Sequence, residues 1–159
     1  MKYLSYYRSP LGFLALKSDG LSVHEISFFE GELQEKNDCA LLLRCEQQLE
    51  DYFSGKSFCF DLPLNPQGSD FQKKVWAELL KIPMGETITY FELAVRLGDP
   101  KLVRAVGTAN GRNPLAIMIP CHRVIGAGNK LTGYAGGLDR KLWLLEHEMK
   151  CNPSKKTLF

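Results

Sequence analysis

The sequence predicts an α+β protein: a small N-terminal α/β part with an antiparallel sheet, then a mainly helical C-terminal part containing a helix-turn-helix. Three observations predict it. Tyr3–Ser9, Phe13–Lys17 and Leu21–Phe29 are short apolar runs separated by Pro10-Leu11-Gly12 and Asp19-Gly20, the spacing of a strand meander. Beyond Pro63-Leu64-Asn65-Pro66-Gln67-Gly68 the hydrophobic period becomes that of helices. Two capping boxes, Ser69 with Gln72 and Thr89 with Glu92, then mark helix starts.

In chain order, Asp38 or a neighbour opens an amphipathic helix with Leu41, Leu42, Cys45, Leu49 and Phe53 on one side, and Gly55 stops it. Ser57–Leu62 is expected to return as a strand. Residues 1–64 form a scaffold domain with no constellation that carries chemistry, and residues 65–159 form the second domain. The Ser69 box opens a helix with Phe71, Val75, Leu79 and Ile82 on one face, ended by Pro83-Met84-Gly85. The Thr89 box opens Tyr90–Leu97, stopped by Gly98. Asp99 caps a third helix, Lys101–Ala109, with Pro100 at its first position. Two short helices around a tight glycine turn have helix-turn-helix form, a form that all-α packing also produces without nucleic acid. Asn110–Pro114 reads as a turn and Leu115–Ile119 as a short buried strand. Gly126–Lys130 reads as a hairpin turn, and Leu131–Gly137 as a glycine-rich loop around Tyr134. Asp139 caps a last helix with Leu142, Trp143, Leu144, Leu145 and Met149, and a polar tail follows from Lys150.

Composition narrows the function classes. The chain has 159 residues, 45% hydrophobic and 24% charged, as in globular proteins, and no apolar run approaches a membrane span. Its start, Met1–Ser5, is not a signal peptide. Five cysteines, an odd number without CxxC spacing, imply reduced thiols inside a cell, hence a cytoplasmic protein (nuclear in a eukaryotic source). Cys39 and Cys45 lie six apart, and His24 and His147 lack ligand neighbours at usual spacing, so no metal or cofactor is expected. Residues 1–69 carry 6 Lys+Arg against 10 Asp+Glu, a net −4, whereas residues 70–159 carry 14 against 8, a net +6. The second part therefore suits an anionic partner.

Ile119-Pro120-Cys121-His122-Arg123-Val124 places a thiol, an imidazole and a guanidinium side by side. A cysteine where a buried strand stops is held rigidly yet can face a cleft, and His122 could accept its proton. Adjacent side chains on a strand point to opposite faces, so the pair needs a turn or a bridging water. A structural, buried cysteine is the competing reading. In the third helix Ala105, Gly107, Thr108 and Ala109 are small and Arg104 is long and cationic, which suits close approach to DNA with one arginine entering the base stack or taking a phosphate. A surface salt bridge beside a closely packed helix is the alternative.

The blocks Arg104-Ala105-Val106-Gly107, Asn113-Pro114, Ile119–Val124, Gly133-Tyr134-Ala135-Gly136-Gly137-Leu138 and Trp143–Glu148 together resemble the O6-alkylguanine-DNA alkyltransferases, in family order and spacing over roughly Phe71 to Glu148. The resemblance implies a suicide DNA-repair enzyme that moves an alkyl group from O6-alkylguanine irreversibly to Cys121, once per molecule. His122 would deprotonate Cys121 through a water, and Glu148 would orient His122. Asn113 would brace the turn carrying the cysteine. Tyr90 would press on the phosphate beside the lesion and donate to guanine N3. Arg104 would fill the hole left by the flipped nucleotide. Ala105 and Gly107 would suit a recognition helix in the minor groove of double-stranded DNA. The Val124 carbonyl and the Tyr134 loop would hold and roof the guanine. Ala135 stands where some members have a serine that donates to O6, so backbone amides of Tyr134 and Ala135 would have to supply that bond. The zinc ligands of vertebrate members have no counterpart, and the chain looks more like the bacterial and archaeal forms. A monomer is implied, with cooperativity on DNA, alkyl-group preference and action on O4-alkylthymine left open. Three rivals remain. One is an alkyltransferase-like damage-recognition module, which carries tryptophan at the acceptor position. The others are a helix-turn-helix regulator and a thiol hydrolase.

Overall fold

The structure is a computed structural model that describes residues 2–152. The described residues form two compact units, one of residues 2–67 with 114–118 and the other of residues 68–113 with 119–152.

In the first unit β1 (Tyr3–Ser9), β2 (Gly12–Ser18) and β3 (Val23–Phe29) form an antiparallel sheet in that order. Gly12 and Gly20 turn the chain at φ of 110° and 93°, which glycine adopts without a Cβ clash. Helix α1 (Ala40–Ser54) packs on β1 and β2 and buries Leu41, Leu42, Cys45, Leu49, Tyr52 and Phe53. Gly55 closes it at φ 79°, its N–H bonded to the last carbonyls. Cys39 sits at the cap without a side-chain bond.

Ser57–Leu62 is a correction: it forms no strand. The alternation of Phe58 and Phe60 mimics one, but both rings pack on Tyr52. The Asp61 N–H donates to the Gln48 side chain instead of to a ladder partner. Just beyond this stretch, Leu64 bridges the sheet at Val23.

The expected strand Leu115–Ile119 is a second correction. Leu115, Ile117, Met118 and Ile119 are buried as expected, and Leu115 bridges Ile26. The run nonetheless turns twice. Met118 N–H donates to the Ala116 carbonyl at 2.9 Å around Ile117, whose φ is 74°. Cys121 N–H donates to the Ile119 carbonyl at 2.8 Å around Pro120, whose φ and ψ are −82° and 64°. These are two successive γ-turns, the first of the strained positive-φ kind that a β-branched residue rarely adopts.

In the second unit α2 (Asp70–Leu79) and α3 (Tyr90–Arg96) open on the expected capping boxes of Ser69 and Thr89. The first ends at Leu79, so Ile82 is buried beyond the helix. The third helix begins as a 3-10 turn, Pro100–Leu102, with Asp99 accepting from Lys101 N–H, and continues as α4 (Val103–Gly111). Asn110 and Gly111 are therefore helical and not part of the turn. Trp76 Nε1–H donates to the Ala109 carbonyl at 2.9 Å and ties α2 to α4. A Cβ on Gly68 would stand 2.5 Å from the Trp76 ring, so only glycine fits there.

A two-residue parallel ladder joins β4 (Ile88–Thr89) to β5 (Val124–Ile125) and sets the start of α3 beside the segment following Cys121. Gly126 and Lys130 pair across a tight turn in which Gly128 and Asn129 have φ of 68° and 62°. The last helix, α5 (Leu138–Lys150), is capped by Gly137, and Asp139 lies inside its first turn. Asp139 thus supplies charge at the helix N-terminus and not the cap. Of the tail expected from Lys150, Lys150 itself is the last residue of the helix, and residues 153–159 lie outside the described residues.

Candidate active site

Cys121, His122 and Arg123 form one 3-10 turn, all buried. The turn supplies what a strand would not: consecutive side chains about 120° apart instead of opposed. Two asparagines hold it. Asn113 Nδ2 donates to the Ile119 carbonyl at 2.7 Å, and Asn110 Nδ2 to the Cys121 carbonyl at 3.3 Å.

Glu148, from the buried face of α5, reaches the two residues that follow the thiol. His122 Nε2 lies 2.6 Å from its Oε2. Arg123 donates from Nε at 2.7 Å and from Nη2 at 3.1 Å, while its Nη1 donates to the Ile82 carbonyl at 2.7 Å. Burial opposes the carboxylate's charge, but His122 and Arg123 outweigh it and hold Glu148 well below the usual carboxylate range. An ionised carboxylate only accepts, so Nε2 carries the imidazole proton and Nδ1 is the acceptor nitrogen. Nδ1 is buried with no hydrogen-bond partner among the described residues.

Burial raises the Cys121 thiol pKa, against the Asn113 hydrogen bond and the Lys141 charge, which lower it. Burial likewise lowers His122, against the pull of Glu148. The resting pair is therefore a thiol and a neutral imidazole. A protonated sulfur thus stands next in sequence to a neutral imidazole, a group able to accept a proton.

Lys141 was not singled out from the sequence. It is fully buried, and its Nζ donates to the Val124 and Thr132 carbonyls, each at 2.6 Å. Burial pushes its pKa down to about 8, with the Cys121 charge acting in the opposite sense. Its signal was its place on the stripe Lys141, Leu144, Leu145, Glu148, where an ionic residue stands at each end of a buried helix face. Arg123 and Asn110 were likewise given no role. Asn110 shares the buried face of α4 with Val106 and Ala109, a polar side chain on an apolar stripe.

Tyr90, the first residue of α3, donates from its hydroxyl to the Thr132 carbonyl at 3.0 Å and the Gly133 carbonyl at 3.3 Å. Its ring lies beside Gly107 of α4 and 5.8 Å from Lys141 Nζ. A hollow of about 530 Å³ opens here, lined by Tyr90, Arg104, Gly107, Thr108 and Gly133 among others. Arg104 and Ala105 are exposed on α4 and Gly107 is half-buried. Val124 is buried, Tyr134 half-buried and Ala135 exposed. Burial raises the Tyr134 hydroxyl pKa far above its ordinary value, and the Cys121 charge adds to the shift. The structure thus gathers Cys121, His122, Glu148 and Asn113 directly. It places Tyr90, Val124 and Tyr134 around them and sets Arg104 at the rim of the hollow.

The five cysteines are free, and no cluster of three or more His, Cys, Asp or Glu that could hold a metal occurs among the described residues. Nor is any described helix long and apolar enough to cross a membrane.

Residues 2–66 match the family described as 6-O-methylguanine DNA methyltransferase, ribonuclease-like domain, and residues 70–150 match its DNA binding domain. A methylated-DNA–protein-cysteine methyltransferase of Methanosarcina acetivorans is 46% identical over 155 residues, covering 94% of this chain and 99% of that protein. One from Mycobacterium tuberculosis is 45% identical over 156 residues, covering 95% and 94%. The crystal structure of Mycobacterium tuberculosis O6-methylguanine methyltransferase superposes with a TM-score of 0.86 at 43% identity, covering 94% of each chain. That of Mycobacterium tuberculosis OGT in complex with DNA superposes with 0.85 at 44% identity, covering 92% of each.

Proposed function

The chain belongs to the 6-O-methylguanine DNA methyltransferase family, whose members repair DNA by direct reversal through methyl transfer to a cysteine, and we propose that the cysteine here is Cys121. Cys121 Sγ bonds to the alkyl carbon while the bond from that carbon to O6 breaks and its electron pair goes to the purine. The thiol proton passes to His122 Nδ1 through a water. The purine takes up one proton as Tyr90 donates toward N3; Tyr90 regains its own from solvent, to which the His122 imidazolium gives up the thiol's, so no net proton is gained or lost. Guanine and an S-alkylcysteine result.

One observation carries this reading: an imidazole next in sequence to a buried thiol, with one nitrogen held by an ionised glutamate and the other open to accept. Glu148 fixes the tautomer and stabilises the imidazolium as it forms. Arg123 shares the carboxylate and keeps it ionised, and Asn113 and Asn110 hold the turn that aims the sulfur.

DNA enters against α3 and α4. The small residues Ala105 and Gly107 let α4 approach the minor groove of duplex DNA, and the alkylated base flips toward the hollow beside Tyr90. Arg104, exposed at its rim, fills the gap left in the stack. The Val124 carbonyl has a second lone pair beyond the one Lys141 uses and is open to a base donor, while the Tyr134 loop, with the backbone of Ala135, covers the base. The protein acts as a monomer.

Cys121→Ser tests the assignment. It is expected to bind alkylated duplex as tightly as the parent while transferring no alkyl group, because a serine hydroxyl is far less acidic than a thiol. Transfer that persists in Cys121→Ser would place the acceptor on another residue.

A further inference from the structure

Lys141 is a buried charge that the proposed reaction does not use. It lies in the first turn of α5, its backbone N–H donating to the Gly137 carbonyl at 3.1 Å, and its side chain is fully buried. Burial lowers its pKa only to about 8, so it is largely charged at neutral pH. A buried ammonium group is costly, and the acceptors of this one are two backbone carbonyls instead of a carboxylate that would offset the charge. The two carbonyls belong to different segments. Val124 is in β5, which directly follows the Cys121–Arg123 turn, and Thr132 is in the glycine-rich loop, where residues 131–137 form neither helix nor strand. Nζ lies 2.6 Å from each and so ties the loop to the strand.

The loop has a second tether at the same place. The Tyr90 hydroxyl donates to the Thr132 carbonyl at 3.0 Å and to the Gly133 carbonyl at 3.3 Å. A carbonyl oxygen has two lone pairs, and at Thr132 Lys141 and Tyr90 take one each. A hydroxyl has one proton, so Tyr90 cannot donate to purine N3 while it donates to the loop. During transfer the loop therefore loses Tyr90, and Lys141 keeps its hold on Thr132. The Lys141 bond is also the stronger kind, short and charge-assisted. We propose that Lys141 is a positioning residue that straps the Tyr134 loop to β5 and keeps the base covered while Tyr90 leaves the loop to serve the purine. A long stem with three N–H donors reaches both carbonyls at once, whereas methionine, of similar length, brings no donor.

The inference rests on the proposed function, and the two fail separately. Amide hydrogen exchange of residues 131–136, read by mass spectrometry at neutral pH, is compared in the parent, Lys141→Met and Tyr90→Phe, with α2 as the reference for an intact fold. Exchange in the loop is expected to quicken by at least about tenfold in Lys141→Met, which loses two charge-assisted bonds, and to stay within about threefold of the parent in Tyr90→Phe, where Lys141 still holds. A loop that opens in Tyr90→Phe, or stays closed in Lys141→Met, would overturn the inference. If Lys141→Met also loses the protection of α2, the Tyr90→Phe result decides. The Lys141 charge also favours the Cys121 thiolate, so a second comparison separates the strap from that effect. Transfer from an O6-methylguanine duplex is expected to slow in Lys141→Met by about tenfold more than alkylation of Cys121 by iodoacetamide, which needs no covered base. Equal losses on both would reduce Lys141 to a charge near the thiol and overturn the strap. No transfer by the parent would instead overturn the function itself, whatever the loop does.

Discussion

The carboxylate of Glu148 serves His122 and Arg123 at once, and this sharing sets how the site responds to pH. Burial lowers the His122 pKa below its ordinary 6.5, with Glu148 pulling it back up. A base with a lowered pKa stays unprotonated down to that lowered value, so the transfer rate is expected to hold as pH falls to 6.5 and to drop only below it. Glu148→Gln removes the charge that raises His122, so its acid limb should move to still lower pH. Its plateau should fall on the order of tenfold, because a neutral acceptor replaces a charge-assisted one. A pH–rate profile whose acid limb moves upward in Glu148→Gln would refute the assignment. Stability follows the opposite group. The folded-state pKa of Glu148 is depressed, so its contribution is present above the ordinary 4.5 and is lost as pH falls toward the depressed value. Acid denaturation followed by circular dichroism should therefore begin below that pH and be less steep in Glu148→Gln.

At the scale of elements, the helix starts were legible because they are local. Ser69 with Gln72 and Thr89 with Glu92 satisfy their own backbone within four residues, and both capping boxes form. What was not legible depends on distant partners. Leu115–Ile119 reads as a strand because burial alone governs its composition, and nothing local announces a γ-turn at Ile117. Lys141 is an ordinary helix lysine until Val124 and Thr132, 17 and 9 residues away, bring their carbonyls to it. Ser57–Leu62 failed for the same reason, its alternating aromatics belonging to Tyr52 and not to a sheet. The seating of α2 gives a direct test. Gly68→Ala drives a Cβ into the rigid Trp76 ring and should destabilise the protein by about 1–3 kcal/mol, read as a lowered urea midpoint. An unchanged midpoint would mean that the ring yields. Helix α4 gives another. Arg104→Ala should slow repair of duplex by about tenfold to a hundredfold, since extruding a base costs a few kcal/mol, yet leave reaction with free O6-benzylguanine nearly unchanged. Equal losses on both would mean that Arg104 supports the pocket.

For the whole molecule, the uneven charge of the chain, −4 over residues 1–69 and +6 over residues 70–159, puts the anion-binding capacity in the part that carries the thiol. Affinity for undamaged duplex should accordingly fall steeply between about 50 mM and about 200 mM salt, and a flat dependence would remove phosphate contact from the account. The central claim is that Cys121 takes one alkyl group and keeps it. Transfer makes a thioether, which has no carbonyl for water to attack and in which the thiolate is a poor leaving group, so nothing in the site regenerates the thiol. The direct measurement titrates the protein against excess O6-methylguanine duplex and maps the added mass by peptide mass spectrometry. One methyl group per protein, carried on the peptide containing Cys121 and absent from Cys39, Cys45, Cys59 and Cys151, is the predicted result. Several methyl groups removed per protein with Cys121 still free would contradict it.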